Sequence, residues 1–179
     1  MLQKCTIFRV AGVFFNEPSK SHSLMGISKE INLSHTSVIN YLNDLIKLEI
    51  VHVEIEKKGK RNFPVYSSNN QGENYKKYKR IYNLSQLEES GLIKYLRDKF
   101  MPKSIVLFGS YSRGEDIDGS DIDLFAECKK EEINLSEFEK KLNRKIQMHF
   151  KEHFNEYPKE LKNNIVNGII INGYLEAFK

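Results

Sequence analysis

Two short runs in the second half of the chain have residue types and a spacing that suit phosphate and metal chemistry. Gly109 and Ser110 end an apolar run over residues 104–108, and Asp121 and Asp123 follow about ten residues later. A strand that gives way to a helix at Gly-Ser presents unpaired backbone N–H groups to a phosphate. Gly109 allows the phosphate to approach the backbone closely, and the Ser110 hydroxyl adds a donor.

The two carboxylates of Asp121 and Asp123 are two positions apart on a predicted strand, so they should lie on one face. Mg²⁺ is usually held by one or two carboxylates together with substrate phosphates. Paired metals suit an in-line displacement at the α-phosphate of a nucleoside triphosphate. Either motif alone is uninformative, but the two together after an apolar strand are specific. The neighbouring acids are interpreted as solvated loop residues: Glu115, Asp116 and Asp118.

These motifs resemble the DNA polymerase β-like nucleotidyltransferase superfamily, particularly its minimal nucleotidyltransferases. The family pattern is Gly-Ser, a short helix often with Arg-Gly, and then Ser-Asp-x-Asp. The matching positions in this chain are Gly109, Ser110, Arg113, Gly114, Ser120, Asp121 and Asp123. The resemblance covers about residues 103–150 and implies a polymerase β-like fold with a small mixed sheet.

The resemblance also implies roles for individual residues. Asp121 and Asp123 would be catalytic and would bind Mg²⁺ or Mn²⁺. The implied nucleotide-binding residues, which would hold the triphosphate of an NTP, most simply ATP, are Gly109, Ser110, Arg113 and Ser120. For Arg113 an alternative stays open, namely a surface arginine paired with Glu115 or Asp116.

One position departs from the family pattern. Active members usually carry a third carboxylate on a later strand, and the best matching strand here covers residues 145–150. Gln147 occupies the expected acidic position, where its neutral amide can coordinate only weakly and cannot act as a base. His149 on the same face is a candidate base or ligand, and the alternative is a polar surface residue. Gln147 therefore leaves catalysis open without altering the predicted fold.

The elements that must position this site alternate between strand and helix from residue 101 onward. Strands are predicted at 104–108, 122–126 and 146–150, with a helix at 134–144 and a last helical segment at 159–178, broken at Gly168 and Gly173. Ahead of them, residues 73–100 are predicted to be helical with a break at 83–85.

The first 66 residues have a different pattern, with three helices followed by two strands. Helical periodicity is predicted over residues 7–15, over 22–31, and after an N-cap at Ser34. Strands at 50–55 and 63–66 enclose a basic turn. This arrangement resembles winged helix-turn-helix DNA-binding domains.

That resemblance implies a nucleic-acid surface. The third helix would offer four side chains to a major groove: His35, Thr36, Ser37 and Asn40. The turn would bring four cations to phosphates: Lys57, Lys58, Lys60 and Arg61. Residues 1–100 carry sixteen Lys or Arg against ten Asp or Glu, which favours a polyanion. Because the third helix carries only Lys47 as a positive charge, a protein-binding winged helix is the alternative.

The chain is thus expected to be an α+β protein with three parts: a winged helix-turn-helix domain at 1–66, a helical connector at 67–100, and a minimal nucleotidyltransferase domain at 101–179. No apolar run reaches the roughly 18 to 20 residues that span a bilayer, and no signal peptide is evident. Cys5 and Cys128 show no metal or disulfide spacing, which is typical of a reducing cytosol. We expect a cytoplasmic protein without membrane contact, and a homodimer is left open.

Two functions remain in competition. The first is Mg²⁺-dependent transfer of a nucleoside monophosphate from an NTP to a hydroxyl of a partner protein or another acceptor. The second is a non-catalytic, DNA-binding transcriptional regulator with a degenerate nucleotidyltransferase domain. Gln147 favours the second hypothesis, and the intact Gly-Ser and Asp pair favour the first.

Overall fold

The computed structural model describes residues 5–59 and 61–177, which form two compact units that divide at Tyr82/Asn83. The division falls inside the segment 67–100 that the sequence presents as a connector. Each unit combines helices with a small sheet. In the part of the chain that is described, no helix is long and apolar enough to cross a membrane.

The first unit contains three helices, a small antiparallel sheet and the start of a long helix. Its elements are α1 (Thr6–Asn16), β1 (Ser21–Ser23), α2 (Leu24–Ile31), α3 (His35–Lys47), β2 (Val51–Lys58), β3 (Arg61–Ser68) and the first part of α4 (Glu73–Ser90). The sheet order is β1-β3-β2, and both pairings are antiparallel. The predicted helices and the two predicted strands are present, and the Ser34 hydroxyl accepts the Ser37 N–H at 3.2 Å as the predicted N-cap.

The core of this unit is built around the apolar stripe of α1. Val10, Phe14 and Phe15 are completely buried, as expected for residues that recur every three to four positions on one helix face. The Phe14 carbonyl, near the end of the helix, accepts hydrogen bonds from the Ser68 and Tyr75 hydroxyls, each at 3.0 Å. These bonds tie the end of β3 and the start of α4 to α1.

The second unit contains a four-stranded mixed sheet. After the end of α4 its elements are α5 (Leu92–Phe100), β4 (Ser104–Phe108), α6 (Gly109–Arg113), β5 (Ile122–Glu127), α7 (Ser136–Leu142), β6 (Ile146–Lys151), a 3-10 turn (Phe154–Glu156), α8 (Lys159–Val166) and β7 (Ile169–Gly173). The strand order is β6-β5-β4-β7, with β5 and β6 parallel and the other pairs antiparallel. The predicted small mixed sheet is therefore confirmed.

The central strands β4 and β5 are buried on both faces. One face, which includes Ile105, Leu107 and Leu124, packs against apolar residues of α4, α5 and α7. The other face carries Phe108 and Phe125, which pack with residues of the 3-10 turn and α8. Burial on both sides explains why these strands are mostly apolar without a regular alternation, although β5 carries Asp123 and Glu127.

The predicted helix break at residues 83–85 is wrong, because α4 runs without interruption to Ser90. Asn83 and Leu84 resemble a turn signal in sequence. In the structure Asn83 is buried and hydrogen-bonded, and Leu84 packs against the core of the second unit. Tertiary contacts therefore outweigh the local preference of asparagine for turns.

The last predicted helical segment is wrong in its second half. The helix α8 ends at Val166, and β7 then pairs antiparallel with β4. Three consecutive isoleucines at 169–171 favour a strand, and Gly168 lets the backbones meet closely. A Cβ atom at Gly168 would lie only 2.5 Å from the Leu107 carbonyl oxygen.

Candidate active site

The centre of the site is the contact between Gly109 and the Asp123 carboxylate. Phe108, the last residue of β4, lies opposite Asp123 in the antiparallel register with β5. Gly109 then takes a φ of +73°, and a Cβ atom there would lie 2.3 Å from Asp123 Oδ2. Glycine is favoured here because the positive φ strains any other residue and because a side chain would push the Asp123 carboxylate aside.

Strand β6 places Gln147 and His149 beside Asp123. Gln147 is the direct register partner of Asp123 and is exposed. His149 Nε2 lies 3.9 Å from Asp123 Oδ1, and the imidazole packs at 5.2 Å from the centre of the Phe108 ring. His149 Nε2 is buried, and the described residues offer it no hydrogen-bond partner within bonding distance.

Asp121 lies one residue before β5 and is exposed. It follows a tight turn in which the Ser120 N–H donates to the Ile117 carbonyl at 3.1 Å and the Ser120 hydroxyl accepts the Ile117 N–H at 3.0 Å. Because a hydroxyl that accepts one hydrogen bond keeps its own proton, Ser120 can still donate to a phosphate.

Ser110 and Arg113 lie on the short helix α6 that follows Gly109. Ser110 is half-buried, and its carbonyl accepts the Glu115 N–H at 3.0 Å. Arg113 is exposed and its Nε donates to Glu115 Oε2 at 2.7 Å, which is the surface pairing that the sequence left as an alternative.

The interpretation of Asp116 as a solvated acid is wrong. Asp116 is only 2 % exposed as a residue, and its carboxylate accepts hydrogen bonds from Asn83 Nδ2 at 2.8 Å and Arg144 Nη2 at 3.2 Å. Neither partner was singled out from the sequence, because they lie 33 and 28 residues from Asp116. Sequence spacing carries no signal for such pairs.

The turn between α7 and β6 fixes where β6 begins. Glu139 Oε1 accepts the Ile146 N–H at 3.1 Å, and Oε2 pairs with the Lys145 ammonium at 3.2 Å. The Ile146 N–H, and after it Lys145, lower the pKa of the Glu139 carboxyl. Between this turn and the Gly119–Ser120 turn lies an open depression of about 450 Å³.

The side chains available as ligands limit which metal ion the site could hold and how. Within residues 5–59 and 61–177, no three His, Cys, Asp or Glu side chains are grouped so that they could hold an ion. Asp121 and Asp123 supply two carboxylates, and Gln147 and His149 supply neutral groups at most. This set suits Mg²⁺ only where substrate phosphates complete the coordination, which is how Mg²⁺ is commonly bound.

The residues predicted to contact DNA lie in two places in the first unit. On α3, His35, Thr36 and Asn40 are exposed, whereas Ser37 is half-buried with its hydroxyl 2.9 Å from that of Ser34. On the β2–β3 hairpin, Lys57 and Arg61 are exposed, and Lys58 is the register partner of Arg61. Lys60 lies outside the described residues.

Residues 89–172 match the family model of the nucleotidyltransferase domain. The matched segment runs from the end of α4 to β7, so it includes Gly109, Asp121 and Asp123 and, on β6, Gln147 and His149.

Two similar proteins have been described. A protein of Methanocaldococcus jannaschii named "Putative protein adenylyltransferase" is 59 % identical over 34 residues, which is 19 % of this chain. The match spans about a third of that relative's own length (34 %). A solved structure, "Possible transcriptional regulator from Methanosarcina mazei Go1", has a TM-score of 0.36 and 21 % identity, and the match covers 52 % of this chain and 77 % of that one.

A matched pair of glycine variants tests the contact at the centre of the site. Gly109 and Gly91, which lies between α4 and α5, both have positive φ, +73° and +81°, but only Gly109 faces a carboxylate, since a Cβ at Gly91 meets nothing within 4 Å. Both alanine variants should lose about 1 to 2 kcal/mol from the backbone conformation. Only Gly109→Ala should displace Asp123 and weaken NTP binding with Mg²⁺, by about 10 to 100-fold. Equal nucleotide affinities of the two variants in calorimetry would contradict this assignment.

Proposed function

We propose that the protein transfers a nucleoside monophosphate from an NTP to a hydroxyl group of a protein or another acceptor, in a reaction that depends on Mg²⁺ or Mn²⁺. The observation that carries the proposal is the Asp123 carboxylate lying directly against Gly109. The contact supports the proposal because a turn that would bind phosphate lies beside a carboxylate that would bind metal, within a segment that matches the nucleotidyltransferase domain.

In this proposal, different residues of the chain bind the triphosphate and the metal ion. The Gly109 backbone and the hydroxyls of Ser110 and Ser120 bind the triphosphate. Arg113 reaches the phosphates by leaving Glu115, a change that costs little because an exposed ion pair is worth at most about 1 kcal/mol. Asp121 and Asp123 would hold the metal ion, which offsets the negative charge of the phosphates when bound.

The reaction forms one bond and breaks another. The acceptor oxygen bonds to the α-phosphorus, the bond from the α-phosphorus to the bridging oxygen breaks, and pyrophosphate leaves with the electron pair. The acceptor hydroxyl must also lose its proton. Gln147 cannot accept it, so the site relies on His149 or on water where family members usually have a carboxylate.

The relative from Methanocaldococcus jannaschii supports ATP as the nucleotide and a protein as the acceptor. ATP and a protein acceptor are the most specific parts of the proposal, and the similarity that supports them covers 34 residues. Incubation with labelled ATP and candidate partner proteins, followed by detection of labelled protein, tests it directly.

A second function is favoured by a specific observation, namely an exposed neutral amide at the register position opposite Asp123. In that case the chain is a DNA-binding regulator whose nucleotidyltransferase domain binds nucleotide without transferring it. The exposed side chains His35, Thr36 and Asn40 on α3, and the cations of the β2–β3 hairpin, would contact the DNA.

The carboxylate pair is tested by Asp121→Asn combined with Asp123→Asn. Both changes keep the size of the side chains and remove the charge that attracts a cation. We expect NTP binding by the wild type to need a divalent ion, and the double variant to lose the metal-dependent part of the affinity. Equal binding with and without metal in both proteins, measured by calorimetry, would refute the metal site.

The two proposed functions predict different results for variants of Gln147. Because Gln147 is exposed, Gln147→Asp should fold normally, tighten metal binding and raise nucleotide transfer, by about 10² to 10⁴-fold if the new carboxylate assists as a base. Gln147→Glu serves as a control for charge at a longer reach. If the wild type is active, His149→Ala silences it and Gln147→Asp changes nothing, His149 has taken over that role. Absence of transfer by both the wild type and Gln147→Asp would leave the regulator as the better proposal.

The DNA-binding function is tested at the hairpin. Replacing Lys57, Lys58, Lys60 and Arg61 by Gln should weaken binding to duplex DNA. It should also reduce the slope of log affinity against log salt by roughly one unit for each lost phosphate contact. Gln in place of Lys76 and Lys77, in α4, provides a control of lower charge outside the hairpin. An unchanged slope in the hairpin variant would indicate a protein-binding winged helix.

A further inference from the structure

The loop before Asp121 is held by a buried arginine. The Arg144 side chain is 8 % exposed and that of Asp116 is 1 % exposed, and the two form an ion pair at 3.2 Å. The other end of the guanidinium, Nη1, donates to the Ile117 carbonyl and lies 3.5 Å from the Ser120 carbonyl. One side chain therefore contacts the loop at three points within the five residues that lead to Asp121.

The opposite side of Asp116 is held by Asn83. Its amide nitrogen donates both to Asp116 Oδ1 at 2.8 Å and to the Tyr111 carbonyl at 2.9 Å. Asn83 thereby joins the loop to α6, the helix that follows Gly109. The three side chains form a network that spans both halves of the site, the Gly-Ser turn and the carboxylate turn.

The chemistry of the network indicates a role in geometry. A buried ion pair contributes little net stability, because desolvation of the two charges offsets their attraction. A guanidinium presents several donors in a fixed plane, so it can bind a carboxylate and two carbonyls at once, which an ammonium on a flexible stem cannot do equally well. Apolar side chains could replace the packing of the ion pair, but they could not replace the hydrogen bonds of Arg144 to the loop backbone.

We propose that Arg144, acting through Asp116 and the carbonyls of Ile117 and Ser120, is the positioning residue that sets Asp121 beside Asp123. This proposal rests on the proposed function for the use of Asp121 as a metal ligand. In this role the three side chains would surround a metal ligand and orient it. The loss of such surrounding residues typically lowers metal affinity by about 10 to 100-fold.

The decisive variant replaces the pair by apolar residues, Asp116→Leu with Arg144→Met. Such a replacement of a buried ion pair often preserves or raises stability, so the melting temperature should be retained. Two readouts should change. Mg²⁺-dependent binding of a fluorescent ATP analogue should weaken by about 10 to 100-fold. Hydrogen exchange of the backbone amides at 117–121 should become faster, while exchange in α1 stays as in the wild type.

Two further variants complete the design. Lys145→Met removes a neighbouring, exposed cation, and it should change neither readout because an exposed ion pair contributes little. Arg144→Lys keeps the charge beside Asp116 but lacks the planar fork. It should speed the exchange of residues 117–121, and it decides the matter if the apolar double variant does not fold.

The outcomes separate this proposal from the proposed function. Wild-type exchange at 117–121 in a folded double variant overturns the positioning role, whatever the nucleotide affinity. Faster exchange together with weaker nucleotide binding supports both proposals. If the wild type shows no metal-dependent nucleotide binding, the proposed function fails, and faster exchange in the variant still supports Arg144 as the residue that orders the loop.

Discussion

The arrangement of the second unit depends on the approach of the Asp123 carboxylate to the backbone of Gly109. That contact requires β4 and β5 to pair with Phe108 opposite Asp123, and it requires a residue without a side chain at the end of β4. The pairing is held by strands that are buried on both faces, so a shift in register by one residue would move the side chains of each face into packing that fits the other. The chemistry at the strand ends is therefore fixed by the packing of the strands behind it.

Around this contact, the polar groups differ in how firmly they are held. Asn83 and Arg144 are each hydrogen-bonded to the buried Asp116 carboxylate, which gives the loop before Asp121 a fixed path. Arg113 and Gln147 are exposed, and their positions depend on solvent and on whatever binds. The site thus combines a loop held by buried hydrogen bonds with exposed side chains that can change position.

Much of this organisation could be predicted from the sequence, and the failures have physical reasons. The mostly apolar runs at 104–108 and 122–126 predict their strands, because a strand that is buried on both faces carries apolar residues at nearly every position. The strand at 146–150 is short and bounded, so Gln147 could be assigned to the position of the missing acid; the structure makes Gln147 the register partner of Asp123, and its correspondence with that acid stays a prediction. The strand β7 was predicted as helix because a short apolar run after a helix has no distinct period. The burial of Asp116 depends on partners far away in sequence, which no local pattern indicates.

The position of β6 at the end of the strand order has a consequence for how this family of sites can diversify. A surface substitution on an outer strand changes stability by only about 0.5 kcal/mol or less, so the side chain at position 147 is free to vary without risk to the fold. Selection can therefore act there on the chemistry of one side chain alone. A lineage could gain or lose a carboxylate beside Asp123 through this one residue while inheriting the same scaffold.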